Sequence, residues 1–236
     1  MSLARRLLDS FTLTIGYLKR NRRAGVPVVE GQPIKINLGC GLAVCKGWIN
    51  IDGSPNALIA TWPKALHRLC YRLTGANRYY SESEYCRLLG DHHFMHHDLA
   101  YGIPLHDQSV DYVYSSHFLE HLYKGDAERL IRESYRVLRH GGILRICVPD
   151  LEYALSLYAR GEKEKMLLSY FFVEDKESHY ARHKYMYDFS MLKALLEQIG
   201  FTNVVRCVYR QGGTPDLDIL DNRPEETLFV EADRLH

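Results

Sequence analysis

The chain has 236 residues, 46% hydrophobic and 25% charged, a composition that suits a soluble globular protein with one sizeable core. Thirty Lys and Arg stand against 29 Asp and Glu, and this near balance argues against a nucleic-acid footprint over the whole domain. Cys40, Cys45, Cys70, Cys86, Cys147 and Cys207 form no C-x-x-C pair and follow no secretory signal, which disfavours a disulfide scaffold or a zinc module and reads as reduced cytosolic thiols. No run of about 18 apolar residues offers a membrane span.

In chain order, residues 3–23 read as a basic amphipathic helix. Leu7, Leu8, Phe11, Ile15 and Leu18 fall on one side, with Arg5, Arg6, Lys19, Arg20, Arg22 and Arg23 at the ends. Such a helix packs on its own domain or a second subunit, or docks on a membrane surface or a partner. Gly25, Pro27, Gly31 and Pro33 then break the chain, so residues 1–30 divide from a main domain over 31–236.

Residues 34–38 form an apolar run of the kind a doubly covered parallel strand needs, and 48–51 read as the next strand. The gap between Gly39 and Ile49 is too short for a full crossover helix, so a short helix or a loop is expected there. Residues 55–90 read as a helical insert rich in aromatics, 93–99 as a third strand ending near Asp98, and 110–115 as a fourth. A helix over 125–139 is expected to close on Gly141-Gly142, and a fifth strand over 143–148 to stop at Pro149. A helix over 150–159, a cap segment over about 160–187, a helix over 190–199 ended by Gly200, and closing strands at 204–209 and 227–231 complete the chain. The alternation predicts an α/β fold: a doubly wound, mostly parallel seven-stranded sheet with an antiparallel C-terminal strand, plus the N-terminal helix and the helical insert.

The strongest functional signal is Gly39-Cys40-Gly41 at the end of the first strand, with Asp52 at the end of the second. Glycines at such a turn let the backbone pass beneath a nucleotide-like ligand and adopt positive φ at little cost. A carboxylate at the second strand tip suits a pair of ribose hydroxyls. The third glycine of a dinucleotide fingerprint would fall where Val44 stands, so a nicotinamide cofactor fits poorly and a ligand without pyrophosphate fits better.

Four segments extend this signal: Asn37-Leu38-Gly39-Cys40-Gly41, residues 98–113, Ser115-Ser116-His117-Phe118-Leu119-Glu120-His121-Leu122, and Arg136-Val137-Leu138-Arg139-His140-Gly141-Gly142. Together they resemble the class I, type-11-like S-adenosylmethionine-dependent methyltransferases, in the right order over roughly residues 34–232. The ending, Gly200-Phe201 and residues 223–232, resembles a subgroup associated with sugar or cell-surface metabolism. The resemblance implies S-adenosylmethionine as cofactor and S-adenosylhomocysteine as product. Gly39, Cys40 and Gly41 would lie beneath the methionine part, Asp52 would hold the ribose, Asp98 and the Leu99 backbone would meet the adenine, and Ser116 and His117 would flank the sulfonium. Asn37, which stands where the family has an acidic residue, is expected among the cofactor-binding residues, and Ala43 stands where the family has a third glycine.

Methyl transfer from a sulfonium is a direct displacement in which in-line positioning supplies most of the rate. A base is needed only for an acceptor that must lose a proton. His117, His121, Asp150, His183 and Tyr187 are the candidates. His92, His93, His96, His97 and His106 invite a metal, but neighbours in a strand point to opposite faces, and no metal is expected. The expected partner is a small-molecule acceptor, with a sugar or polyketide-like hydroxyl leading. A homodimer or peripheral membrane contact through the first helix is the further partner expectation, in a cytoplasmic setting. The rivals are a non-catalytic cofactor-binding module, a nicotinamide-dependent oxidoreductase, and an RNA or protein methyltransferase.

Overall fold

The computed structural model describes residues 3–25, 31–172 and 182–235, with side chains of the first helix from residue 7 onward. The expected cap segment is therefore described at 160–172 and 182–187, and the rest of it, like Arg5 and Arg6, lies outside the described side chains. Among the described residues seven strands are formed: β1 (Lys35–Leu38), β2 (Ile49–Asp52), β3 (His93–His96), β4 (Val110–Ser116), β5 (Leu138–Pro149), β6 (Thr202–Cys207) and β7 (Thr227–Arg234). They make one sheet in the order β3-β2-β1-β4-β5-β7-β6. All pairs from β3 to β5 are parallel, and β7 runs antiparallel between β5 and β6.

The helices are α1 (Leu3–Lys19), α2 (Pro55–Ala60), α3 (Lys64–Cys70), α4 (Glu82–Asp91), α5 (Lys124–Val137), α6 (Leu151–Ala159), α7 (Lys163–Met166), α8 (Phe189–Ile199) and α9 (Leu217–Leu220). Strand alternation sorts the core between the two sheet faces. Ile36, Leu38, Val113, Leu144, Ile146, Leu228 and Val230 pack with Leu130 and Ile131 of α5 and Leu192 and Leu196 of α8. Each such fully buried side chain contributes roughly 1.5–3 kcal/mol of transfer free energy. Phe94 and Cys40 join Ala57, Ile59, Tyr85 and Leu89 of α2 and α4, so residues 53–92 form the covered crossover between β2 and β3.

Residues 39–48 contain no helix. Their side of the sheet is covered instead by the β6–β7 connection: Trp48, Tyr114, Cys147 and Phe229 pack with Leu217 and Leu220 of α9. Asp216 anchors this cover. It accepts from Trp48 Nε1 at 2.8 Å and pairs with Lys35 Nζ at 2.6 Å.

Two expectations are corrected. The Gly141-Gly142 pair does not cap α5, which ends at Val137 and runs straight into β5. The pair instead serves a register shift opposite Val110 and Tyr112, where Gly141 has φ +79° and a Cβ on Gly142 would stand 3.0 Å from Asp111 O. The third strand stops at His96, and Asp98 begins a 3₁₀ turn, Leu99–Tyr101. The apolar residues of α1 share one arc, but only its edge is covered by the domain: Leu8 packs against the α2–α4 core and Ile15 is half-buried, while Leu7, Phe11 and Leu18 are exposed. The closure of α8 is as expected, with Gly200 at φ +119° donating to the carbonyls of Leu196 and Glu197.

Candidate active site

Strand order reverses between β1 and β4, and in open α/β sheets the crevice beyond the carboxyl ends at such a switch point receives the ligand. The chain places at that edge Gly39-Cys40-Gly41 after β1, Asp52 on β2, Asp98 after β3, Ser116 and His117 at the end of β4, and Asp150 after β5.

The turn after β1 has Gly39 at φ +65° and Gly41 at φ +53°, a region that side chains disfavour. The two glycines differ in what lies beside them. A Cβ on Gly39 would stand 2.1 Å from Phe118 Cγ, so the Phe118 ring already fills that side, whereas nothing lies within 4 Å of a Cβ on Gly41. At Gly39, then, the space a side chain would need is taken by Phe118, and only Gly41 has an open side.

Asp52 ties the strand ends together. Its Oδ2 accepts from Gly41 N at 2.9 Å and its Oδ1 from Ser54 N at 2.7 Å, where Ser54 caps α2. A carboxylate oxygen has two acceptor positions, so each keeps one for a hydroxyl. Asn37 is buried behind the turn, and its amide donates to Ala43 O at 2.9 Å and to Asn50 Oδ1 at 3.1 Å. It thus fixes the loop carrying Gly41. Cys40 is buried against the α2–α4 core, where burial, with Asp52 nearby, pushes its thiol well above the ordinary value.

Asp98 is half-buried and accepts from Ala100 N at 3.0 Å, capping the turn in which Leu99 is buried. Gly16 of α1 comes within contact of it, since a Cβ there would lie 3.3 Å from Asp98 Cβ. Tyr17 packs edge-on to Tyr101 at 6.4 Å between centroids. The first helix therefore abuts the β3 end of the crevice.

Ser116 ends β4 with its hydroxyl buried, and His117 follows at φ +49°, its N–H bonded to Cys147 O at 2.8 Å. The His117 ring turns toward β7, with Nε2 3.0 Å from Thr227 Oγ1 and Nδ1 3.4 Å from Glu120 Oε1. His121 Nε2 lies 3.7 Å from the same Glu120 oxygen, and the rings of His121 and His183 meet at 5.1 Å. Three of the five candidate bases thus gather round Glu120. Burial pushes the Glu120 carboxyl up, but the imidazoles of His117 and His121 outweigh it and hold the group below its ordinary value. Burial also lowers His183.

Tyr187 stands near this group with its ring on Tyr185 at 5.0 Å, and burial, with Tyr185, raises its phenol. Asp150 bridges to Tyr187 through the backbone, but its side chain is engaged elsewhere. Its carboxylate accepts from Glu152 N to cap α6 and pairs with Arg206 of β6, while burial raises it against that pull. The sequence reading passed over Phe118 and Glu120 as site residues, although both lie in the quoted segment 115–122. The signal was an acidic residue inside an otherwise apolar stretch between two histidines.

The histidines weighed as metal ligands do not form a cluster with acidic or cysteine partners among the described residues. His96 and His97 are both buried, and burial with Lys19 nearby takes His96 down to about 4.

A family model described as "Methyltransferase domain" matches residues 53–146, beginning one residue past Asp52. A search of curated proteins finds no match. Among solved structures, the S-adenosylmethionine-dependent methyltransferase SibL in its apo form is 19% identical, with a TM-score of 0.52, covering 87% of this chain and 51% of that one. A chain from the complex of the Haloferax volcanii Trm112 methyltransferase activator with a protein named as a methyltransferase is 16% identical, with a TM-score of 0.50, covering 100% of this chain and 99% of that one. These likenesses show the fold. No helix among the described residues is long and apolar enough to cross a membrane. The family match, over residues 53–146, runs from just past Asp52 into β5 and so lies across the switch-point crevice, and over that part the chain is similar to a methyltransferase domain.

Proposed function

We propose that the chain transfers the methyl group of S-adenosylmethionine to a hydroxyl of a small molecule, of sugar or polyketide-like type, by in-line displacement. The observation that carries the cofactor assignment is the Asp52 carboxylate. It is held at the β2 tip by the amides of Gly41 and Ser54 and keeps an acceptor position on each oxygen for the ribose. In this reading the open side of Gly41 receives the methionine part, with Cys40 and Asn37 supporting the turn from behind. Asp98 and the Leu99 backbone take the adenine, and Ser116 and His117 border the sulfonium.

The acceptor lies on the Glu120 side of the crevice, where His117, His121 and His183 are within reach of one another to take the hydroxyl proton, with Tyr187 as a wall. Asp150 is engaged by Arg206 and by α6, which leaves the base role to the histidines. The methyl carbon leaves a positively charged sulfur, so positioning supplies most of the rate and the base removes a proton that a neutral hydroxyl cannot keep once bonded to carbon.

The test is transfer of radiolabelled methyl from S-adenosylmethionine to a broad panel of hydroxylated small molecules. Labelled product supports the proposal. Tight S-adenosylhomocysteine binding with no transfer to any acceptor would favour a non-catalytic partner module, and stabilisation by NADH alone would favour the oxidoreductase. The exposed face of Leu7, Phe11 and Leu18, followed by Arg20, Arg22 and Arg23, supports contact of α1 with an anionic membrane surface. Flotation with anionic vesicles, lost on replacing the three apolar residues by Ser, is the expected outcome. A concentration-dependent dimer would assign that face to a second copy instead.

A further inference from the structure

Glu120 presents a problem that methyl transfer does not solve. Its side chain is 1% exposed, and neither carboxylate oxygen receives a hydrogen bond. A buried carboxylate needs a partner, and the surroundings offer imidazoles only at ion-pair distances of 3.4 Å to His117 and 3.7 Å to His121. One ligand atom from each of Glu120, His121 and His183 lies within 4.8 Å of the others.

The far sides of the two rings settle which nitrogens are free. His121 Nδ1 lies 3.2 Å from Arg182 O, and His183 Nδ1 lies 2.7 Å from Tyr170 O. A carbonyl only accepts, so each Nδ1 carries the hydrogen, and each Nε2 of a neutral ring holds a lone pair. With both Nδ1 hydrogens turned away to carbonyls, the neutral rings face the carboxylate with lone pairs, and a cation among them, a ring proton or a metal ion, would compensate its charge. An imidazole anchored by a carbonyl on its other nitrogen is also the outer-shell arrangement of metal-bound histidine.

We propose that Glu120, His121 and His183 hold a divalent transition-metal cation, zinc first by ligand type. Two imidazoles with one carboxylate make a three-ligand set that leaves a coordination position open. Ligands of a tetrahedral ion with bonds of about 2.1 Å stand about 3.4 Å apart. The His121–Glu120 pair at 3.7 Å is already close to that spacing. Where the sequence reading placed no metal on the clustered His92–His106 region, the cluster arises from residues 62 positions apart, His121 and His183, which the fold brings together.

The chemical role rests on the methyl-transfer reading. Phe118, two residues from Glu120, packs on Gly39 of the glycine turn, so one short stretch of chain links the cluster to that turn, and on the methyl-transfer reading the open position would take the acceptor. A hydroxyl oxygen bound there becomes more acidic. With His121 and His183 serving as ligands rather than as bases, the proton passes to His117 or to water, the oxygen forms the bond to the methyl carbon, and the carbon–sulfur bond breaks with its electron pair going to sulfur, leaving a neutral thioether.

The experiment uses the full chain, stripped with a chelator and titrated with Co²⁺ as a spectroscopic probe and with Zn²⁺ as competitor. One equivalent of Co²⁺ with visible d–d absorption, displaced by Zn²⁺, is expected, with affinity falling at least 100-fold in Glu120→Gln and His183→Gln. Substoichiometric binding, or binding unchanged in both variants, overturns the proposal. Should Glu120→Gln fail to fold by circular dichroism, the half-buried His183→Gln carries the comparison. Calorimetry with S-adenosylhomocysteine on the stripped protein separates the two readings: lost cofactor binding with intact Co²⁺ binding sinks the methyl-transfer reading and leaves the metal site standing.

Discussion

A methyl group added at Gly39 would stand 2.1 Å from Phe118 Cγ, whereas one added at Gly41 would meet nothing within 4 Å. Both have positive φ, which costs a non-glycine residue roughly 1–2 kcal/mol, and overpacking adds roughly 1–3 kcal/mol more. Gly39→Ala is therefore expected to lose about 2–5 kcal/mol in urea unfolding, and Gly41→Ala about 1–2 kcal/mol. Adding Phe118→Leu to Gly39→Ala should recover part of the loss, and equal costs at the two glycines would refute the Phe118 contact.

His96 gives a pH signature. Its folded value is near 4 against 6.5 without the fold, because burial and the Lys19 charge disfavour the imidazolium. As pH falls from 6.5 toward 4, the unfolded chain takes up a proton that the folded chain refuses, so stability falls with pH over that window. The slope for one such group approaches about 1.4 kcal/mol per pH unit. His96→Gln should flatten the fall measured by denaturant titration between pH 7 and 5, and an unchanged slope would remove His96 from the explanation. At this scale the sequence shows Gly39, Gly41, Asp52 and Asp98, because strand ends and turn glycines follow local rules. It does not show that Phe118 and Glu120 face the turn and the histidines, since those contacts are set by the path after β4 and by the return of residues 182–187.

The β1–β2 connection and the β6–β7 connection form one unit. With no helix in residues 39–48, the sheet face near Trp48 is covered by α9 and held by a buried charge network. Arg145 of β5 is fully buried and bonds Asp221 at 2.6 Å and Glu231 at 3.1 Å, as well as Gln211 O at 3.1 Å. The carboxylates in turn hold the loop, Asp221 accepting from Arg210 N and Glu231 from Gly213 N and Thr214 N. Removing the cation leaves two buried carboxylates uncompensated, so Arg145→Met should cost about 3–5 kcal/mol. The triple variant Arg145→Met/Asp221→Asn/Glu231→Gln should regain part of that, with calorimetric unfolding as the readout. A triple variant no more stable than the single one would contradict the account. The short β1–β2 gap was legible from spacing alone. What fills the space was not, because the covering residues come some 170 positions later and the polar loop between Gly212 and Pro224 carries no periodic signal. The misplaced role of Gly141-Gly142 has a similar origin: a glycine after an apolar helix looks like a cap, and only the β4–β5 register reveals the bulge.

For the molecule as a whole, the alternation of strands and helices was enough to place a mostly parallel sheet, and the order β3-β2-β1-β4-β5-β7-β6 gathers the glycine turn, Asp52, Asp98 and His117 at one edge. The histidine cluster at Glu120 is joined to the turn through Phe118, which packs on Gly39. The methyl-transfer reading depends on Asp52 meeting the ribose of S-adenosylmethionine. Isothermal calorimetry of S-adenosylhomocysteine against the wild-type chain and Asp52→Ala tests it most directly. The account predicts one bound equivalent in the wild type and at least a tenfold weaker affinity in the variant, whereas no binding by the wild type, or equal binding by both, would contradict it.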